Sequence, residues 1–212
     1  MDVEPPLGLR ETKKQETRQL ISDQATRLFQ QHGFEATTIA EIATAARVAK
    51  KTVTNYFARK EDLALDHQDE FAASLARAVD SREPGESALA ALRRGFATAL
   101  RGRDPVAGFA GSAFARMIAD SPTLTARLRE LHDQRERALA EALAAATGAS
   151  AGGIAPRAAA AQLAAAHRLL FDRIQELTLA GQGDARIAKT LAVEAGQVFD
   201  QLEPALGRYA VR

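Results

Sequence analysis

Along most of the chain apolar residues return every three or four positions, the spacing of a helix with one buried face. Leu20, Ile21, Ala25, Leu28 and Phe29 form the first such stripe, and Thr12 followed by Gln15 offers a capping box ahead of it. The pattern predicts a helix over 13–32, preceded by an irregular arm of residues 1–11 that holds Pro5, Pro6 and Gly8. Gly33 can close that helix in a left-handed conformation, with Phe34 folding back onto its last turn.

The next elements are short. Thr38 and Glu41 make a second capping box, and Ile39, Ile42, Ala43 and Ala46 share one face of a two-turn helix. Arg47-Val48 interrupts it, after which Val53 and Phe57 sit four apart on another short helix, with Val48 placed to pack against Val53. Helices of two turns do not stand alone. They must pack on the first helix, giving a three-helix unit over 13–57.

Lys60-Glu61-Asp62-Leu63 opens a fourth helix, expected to reach Ser81 with Leu63, Phe71 and Leu75 as anchors, before Arg82-Glu83-Pro84-Gly85 stops it. Further helices are expected over 87–101, 105–119, 123–146, 156–180 and 185–207. The last two carry one apolar stripe each: Leu163, Ala166, Leu170, Ile174 and Leu177, then Ile187, Leu191, Ala195, Val198 and Leu202. Periodicity leaves open whether these stripes meet within one chain or between two.

Composition agrees with an all-α fold, because Ala, Leu, Arg, Glu and Gln dominate and aromatics are only 5% of the 212 residues. The chain has no Cys, which removes disulfides, iron-sulfur clusters and thiol chemistry. No signal-peptide pattern opens it, and no apolar run approaches the ~20 residues of a membrane span. A soluble cytoplasmic protein is the expectation, with no membrane partner.

Charge changes the picture more. The net charge is only +1, yet residues 10–60 hold ten Lys/Arg against five Asp/Glu. Lys50 and Lys51 occupy the first turn of the third helix and Lys60 the start of the fourth, where the positive helix end disfavours cations by ~0.3–1 kcal/mol each. A phosphate beside them would offset that cost, since exposed N–H groups and an ammonium can share one anion. Solvation of the lysines is the plainer explanation. Between them Thr52, Thr54, Asn55 and Tyr56 present hydroxyls and an amide suited to base edges or phosphates. A helix-turn-helix over 38–57 would lay its second helix in a major groove.

The run His32-Gly33-Phe34, Thr37-Thr38-Ile39-Ala40-Glu41-Ile42-Ala43, Val48, Thr52-Val53-Thr54-Asn55-Tyr56-Phe57 and Lys60-Glu61-Asp62-Leu63 closely resembles the TetR-family DNA-binding domain over about 50 residues. That resemblance implies a DNA-binding domain over 12–60 and a ligand-binding and dimerisation domain over 61–212. It also implies a homodimer joined through the helices at 156–180 and 185–207, and a repressor released from a palindromic operator, double-stranded DNA, by a small molecule. Thr38 and Tyr56 would touch phosphates, Lys60 would anchor the fourth helix to the DNA backbone, and Lys50 to Asn55 would face the groove. The chain departs from the family pattern at Arg47, where Gly is usual, at Ala49, which lacks the usual capping hydroxyl, and at Arg59, where Ser is frequent. Arg47 and Arg59 are expected to add phosphate contacts.

Nothing in the sequence assembles a catalytic, cofactor or metal site. His32, His67, His132 and His167 are dispersed, and Gly152-Gly153 and Gly181-Gln182-Gly183 lack the strand context of a phosphate loop. Phe71, Phe96, Phe109, Phe114, Met117 and Phe171 fall where the family places its cavity, which predicts an apolar or amphipathic effector, with His132, Gln134, His167 and Arg173 as polar candidates. The alternative is a helical dimer that binds a small molecule or another protein without a specific operator.

Overall fold

The first helix starts before its expected cap. In the computed structural model, which describes residues 8–150 and 152–212, α1 runs Leu9–His32, because the Gly8 carbonyl accepts the N–H groups of Glu11 and Thr12 and no proline interrupts after Pro6. Thr12 therefore lies inside the helix rather than capping it. Of the arm expected at 1–11, residues 1–7 lie outside the described residues. At the other end Gly33 takes φ +82° with an extended ψ, and Phe34 folds back to Phe29 with ring centroids 5.0 Å apart.

Helices α2 (Ile39–Ala45) and α3 (Lys50–Tyr56) follow the expected positions. The capping box forms in both directions: Glu41 N–H donates to Thr38 Oγ1, and Thr38 N–H donates to Glu41 Oε2 at 2.7 Å. Ala49 at the start of α3 provides no side-chain cap. Arg47 turns the chain between the two helices at φ +55°, in the left-handed region that strains a residue bearing a Cβ.

The predicted fourth helix is two. Glu61–Ala64 (α4) and Gln68–Asp80 (α5) are separated at Leu65–His67, where Leu65 leaves the helical region and buries its side chain. Then come α6 (Ala88–Gly102), a 3-10 turn at Pro105–Ala107, α7 (Gly111–Asp120), α8 (Pro122–Thr147), α9 (Ile154–Leu179) and α10 (Asp184–Leu206). The helix expected from 105 starts only at Gly111. Asp104 caps the 3-10 turn by accepting the Val106 N–H, and Gly108 ends it at φ +123°, so close to α9 that a Cβ there would lie 3.2 Å from Ile174.

Two apolar clusters organise these helices. One fills the bundle of α5, α6, α8, α9 and α10. The other starts in α1–α4 with Ile21, Phe29, Ile42, Val53 and Phe57 and continues through Phe71, Ile118, Leu124, Leu131 and Phe171 into α5, α7, α8 and α9. The N-terminal bundle and the larger bundle thus share a core. The α9 and α10 stripes point into the chain: Leu163, Leu170, Ile174, Ile187 and Leu191 are buried, and the opposite faces leave Leu169 59% and Val193 65% exposed.

Candidate nucleic-acid interface and cavity

The cations of the N-terminal bundle divide into two groups. Arg47, Lys50 and Lys51 are exposed at the turn and the start of α3, and among the described residues none forms an ion pair or a side-chain hydrogen bond. Beside them Asn55 is exposed, Thr52 and Tyr56 are half-buried, and the Thr54 hydroxyl donates to the Lys51 carbonyl. Thr38 is exposed, though its N–H and hydroxyl both donate to Glu41. The anion-favouring start of α3, three unpaired cations and several hydroxyls therefore share one end of the molecule.

Lys60 belongs to the other group. Its ammonium donates to the carbonyls of Phe34 (2.9 Å), Thr37 (3.1 Å) and Glu35 (3.4 Å), and stands 4.2 Å from the Phe34 ring centroid. These carbonyls offset the unfavourable helix start that the sequence reading assigned to a phosphate. Arg18, which sequence reasoning missed, donates to the Tyr56 carbonyl at the end of α3 and lies 4.5 Å over Phe57. Both cations brace the helix-turn-helix from inside.

Arg59 is also engaged, with Glu130 of α8 at 3.1 Å. Glu130 meets Arg127, whose guanidinium donates to Gln68 and pairs with the buried Asp62 at 3.3 Å. Asp62 accepts the Arg59 N–H as well. A second tie runs from the Ser121 hydroxyl to Glu35 at 2.5 Å; with Thr123 it holds the Glu35 carboxyl below the usual carboxylate range. Polar ties as well as the shared core therefore fix α1–α4 on α8.

A cavity of about 400 Å³ lies at this junction. Its walls include Thr26, Phe29 and Gln30 of α1 together with Phe71, Phe109, Phe114, Met117 and Phe171. Five of the six aromatic and Met candidates thus converge. Phe96 does not: it lines a second cavity of about 210 Å³, with Arg135, His167 and Phe171. His132 packs edge-on to Phe71 and Phe171 at 5.0 and 5.4 Å, and burial pulls its pKa down to about 4. Burial lowers His167 to about 3. Gln134 lines neither cavity, and Arg173 instead joins α9 to Glu194 of α10. Arg135, which was not anticipated, is a buried cation in the wall of that second cavity, only 6% exposed.

An N-terminal helix-turn-helix with unpaired cations on its second helix, fused by a shared core to a helical bundle with an apolar cavity, defines a DNA-binding regulator fold. Residues 21–66 match the family described as bacterial regulatory proteins, tetR family. The HTH-type transcriptional regulator TcmR of Streptomyces glaucescens is 33% identical over 146 residues. That match spans 66% of this chain and 65% of TcmR. The fold is shared with SmeT, solved with triclosan (TM-score 0.55, 19% identity, 90% of this chain and 91% of that one). It is shared too with NalD of Pseudomonas aeruginosa, described as the secondary repressor of the MexAB-OprM multidrug efflux pump (TM-score 0.52, 18% identity, 88% and 97%). Residues 21–66 therefore carry a DNA-binding domain of the tetR type, and the chain spans slightly less than two thirds of the curated regulator it matches. Among the described residues no helix is long and apolar enough to cross a membrane.

Proposed function

We propose that the protein is a cytoplasmic, ligand-responsive repressor: residues 12–60 bind a palindromic operator, and 61–212 hold the effector and the dimer interface. The observation that carries this reading is the position of the larger cavity, whose wall is built from α1 of the N-terminal bundle and from α5, α7, α8 and α9 at once. An occupant that fits only one arrangement of these helices changes how the two α3 helices of a dimer are spaced, and so changes DNA affinity.

Arg47, Lys50, Lys51, Thr38 and Tyr56 are assigned to phosphates, and Thr52, Thr54 and Asn55 to the groove. Lys60 is assigned to holding the motif in shape. The outward faces of α9 and α10, with Leu169 and Val193, serve as the dimer surface, because the main apolar stripes of these helices are buried within the chain. Phe71, Phe109, Phe114, Met117 and Phe171 take the effector's apolar part.

Selection of bound fragments from a random DNA pool, read at two salt concentrations, tests the reading. A palindrome with half-sites about one helical turn apart is expected. Recovery of no preferred sequence at either salt concentration would refute it.

A further inference from the structure

The smaller cavity contains a buried cation that, among the described residues, no carboxylate meets at ion-pair distance. Arg135 is only 6% exposed and forms no ion pair among the described residues. Its Nε donates to Ser74 Oγ at 2.8 Å, and its guanidinium lies 4.5 Å over the Phe71 ring. Burying a guanidinium this way is unfavourable unless something negative approaches it.

The carboxylates of this wall stand outside ion-pair distance, and Asp104 favours the charged Arg135 only from longer range. Asp104 lines the same cavity and accepts the Val106 N–H as the cap of the 3-10 turn, while Glu70 lies against Arg77 and His67. His167, 5% exposed in the same wall, has its Nε2 buried with no hydrogen-bond partner. Arg77 also lines the cavity, and the rest of its wall is largely apolar, with Leu75, Leu92, Phe96 and Phe171. Val106 and Phe171 also line the larger cavity, so the two spaces share a partition.

We propose that the smaller cavity receives the carboxylate of an amphipathic organic acid, held by Arg135, with the apolar remainder extending past Phe171 into the larger cavity. The inference rests on reading this interior as the effector site, and adds the chemical class of the effector. A planar carboxylate can take two parallel N–H bonds from a guanidinium, which an alcohol or ester cannot. His167 adds a buried ring nitrogen without a partner to the subsite, and its depressed pKa keeps it neutral there.

The test is calorimetric titration of the full-length protein with decanoate against decan-1-ol, and with 2-naphthoate against 2-naphthamide. At least one acid should bind about tenfold or more tightly than its neutral partner. Arg135→Met and Arg135→Gln should bring the pair within about twofold; the Gln variant retains a donor for Ser74 should the Met variant not fold. Equal binding of acid and neutral partner by the unaltered protein overturns the proposal. So does an acid preference that survives both substitutions, or no binding of either acid at millimolar concentration. Release of the selected operator separates the two readings. Arg135-dependent acid binding that leaves DNA bound sinks the regulatory reading alone, and release by the neutral compounds only sinks the carboxylate subsite alone.

Discussion

Lys60 and Lys50 are ten residues apart, both at the start of a helix, and the fold treats them in opposite ways. Lys60 ends on three backbone carbonyls and an aromatic face, whereas Lys50, Lys51 and Arg47 end in solvent. Arg18, Arg59 and Arg127 side with Lys60, each tied to a carbonyl or a carboxylate. A basic stretch is thus two populations: cations that hold the geometry of the motif, and cations left free for a polyanion. Removing one kind should lower stability, and removing the other should lower DNA affinity.

The largest effect is expected at Arg127. Arg127→Ala strips the buried Asp62 of its cation and should cost about 3 kcal/mol, somewhat relieved by the Arg59 N–H that Asp62 keeps. Denaturant unfolding measures this, and a loss below about 1 kcal/mol would contradict the internal role. Lys60→Ala should cost roughly 2 kcal/mol, lowering the melting temperature by about 4–8 °C. Its operator affinity, measured well below the melting transition, should keep the salt slope of the unaltered protein. An unchanged melting temperature with a shallower slope would move Lys60 into the DNA-facing population.

Lys50→Ala and Lys51→Ala should do the reverse. Each should reduce the slope of log affinity against log salt by about 1.8, one contact from each subunit of the dimer, and weaken binding by roughly 60-fold near 0.1 M salt, with the melting curve unmoved. A shift in melting without a change in slope would break the distinction. The smallest effect is expected at Arg47, which has a foot in both groups: exposed and unpaired, yet backbone-strained at φ +55°. Arg47→Gly should raise stability by at most about 1 kcal/mol, since relief of strain is partly offset by the entropy of glycine in the unfolded chain. It should also make operator binding less salt-dependent. A lower melting temperature would show that the turn needs the arginine side chain.

The same division explains what could be read from the chain beforehand. Helices α2 and α3 were legible because their signals are local: a capping box within four residues and apolar positions one turn apart. The destination of Lys60 was not, because the carbonyls it meets lie 23 to 26 residues earlier and only the folded loop brings them to it. The break between α4 and α5 has no Gly or Pro to announce it; it follows from tucking Leu65 into the core. Of the six pocket candidates named from the family resemblance, five line one cavity, while Phe96 on α6 lines the neighbouring one. Arg135 did leave a signal. Leu124, Leu128, Leu131, Leu139 and Leu143 repeat at helical spacing on α8, and Arg135 interrupts that apolar row.

The wall that α1 contributes to the larger cavity has a thermodynamic consequence for a regulator of this kind. Under the proposed function, operator and effector would be linked through one set of helices, so whatever factor the effector takes from DNA affinity, DNA must take from effector affinity. The effector's dissociation constant would then be a property of the gene's occupancy as much as of the protein, and the operator-bound population would be the last to respond as the compound accumulates.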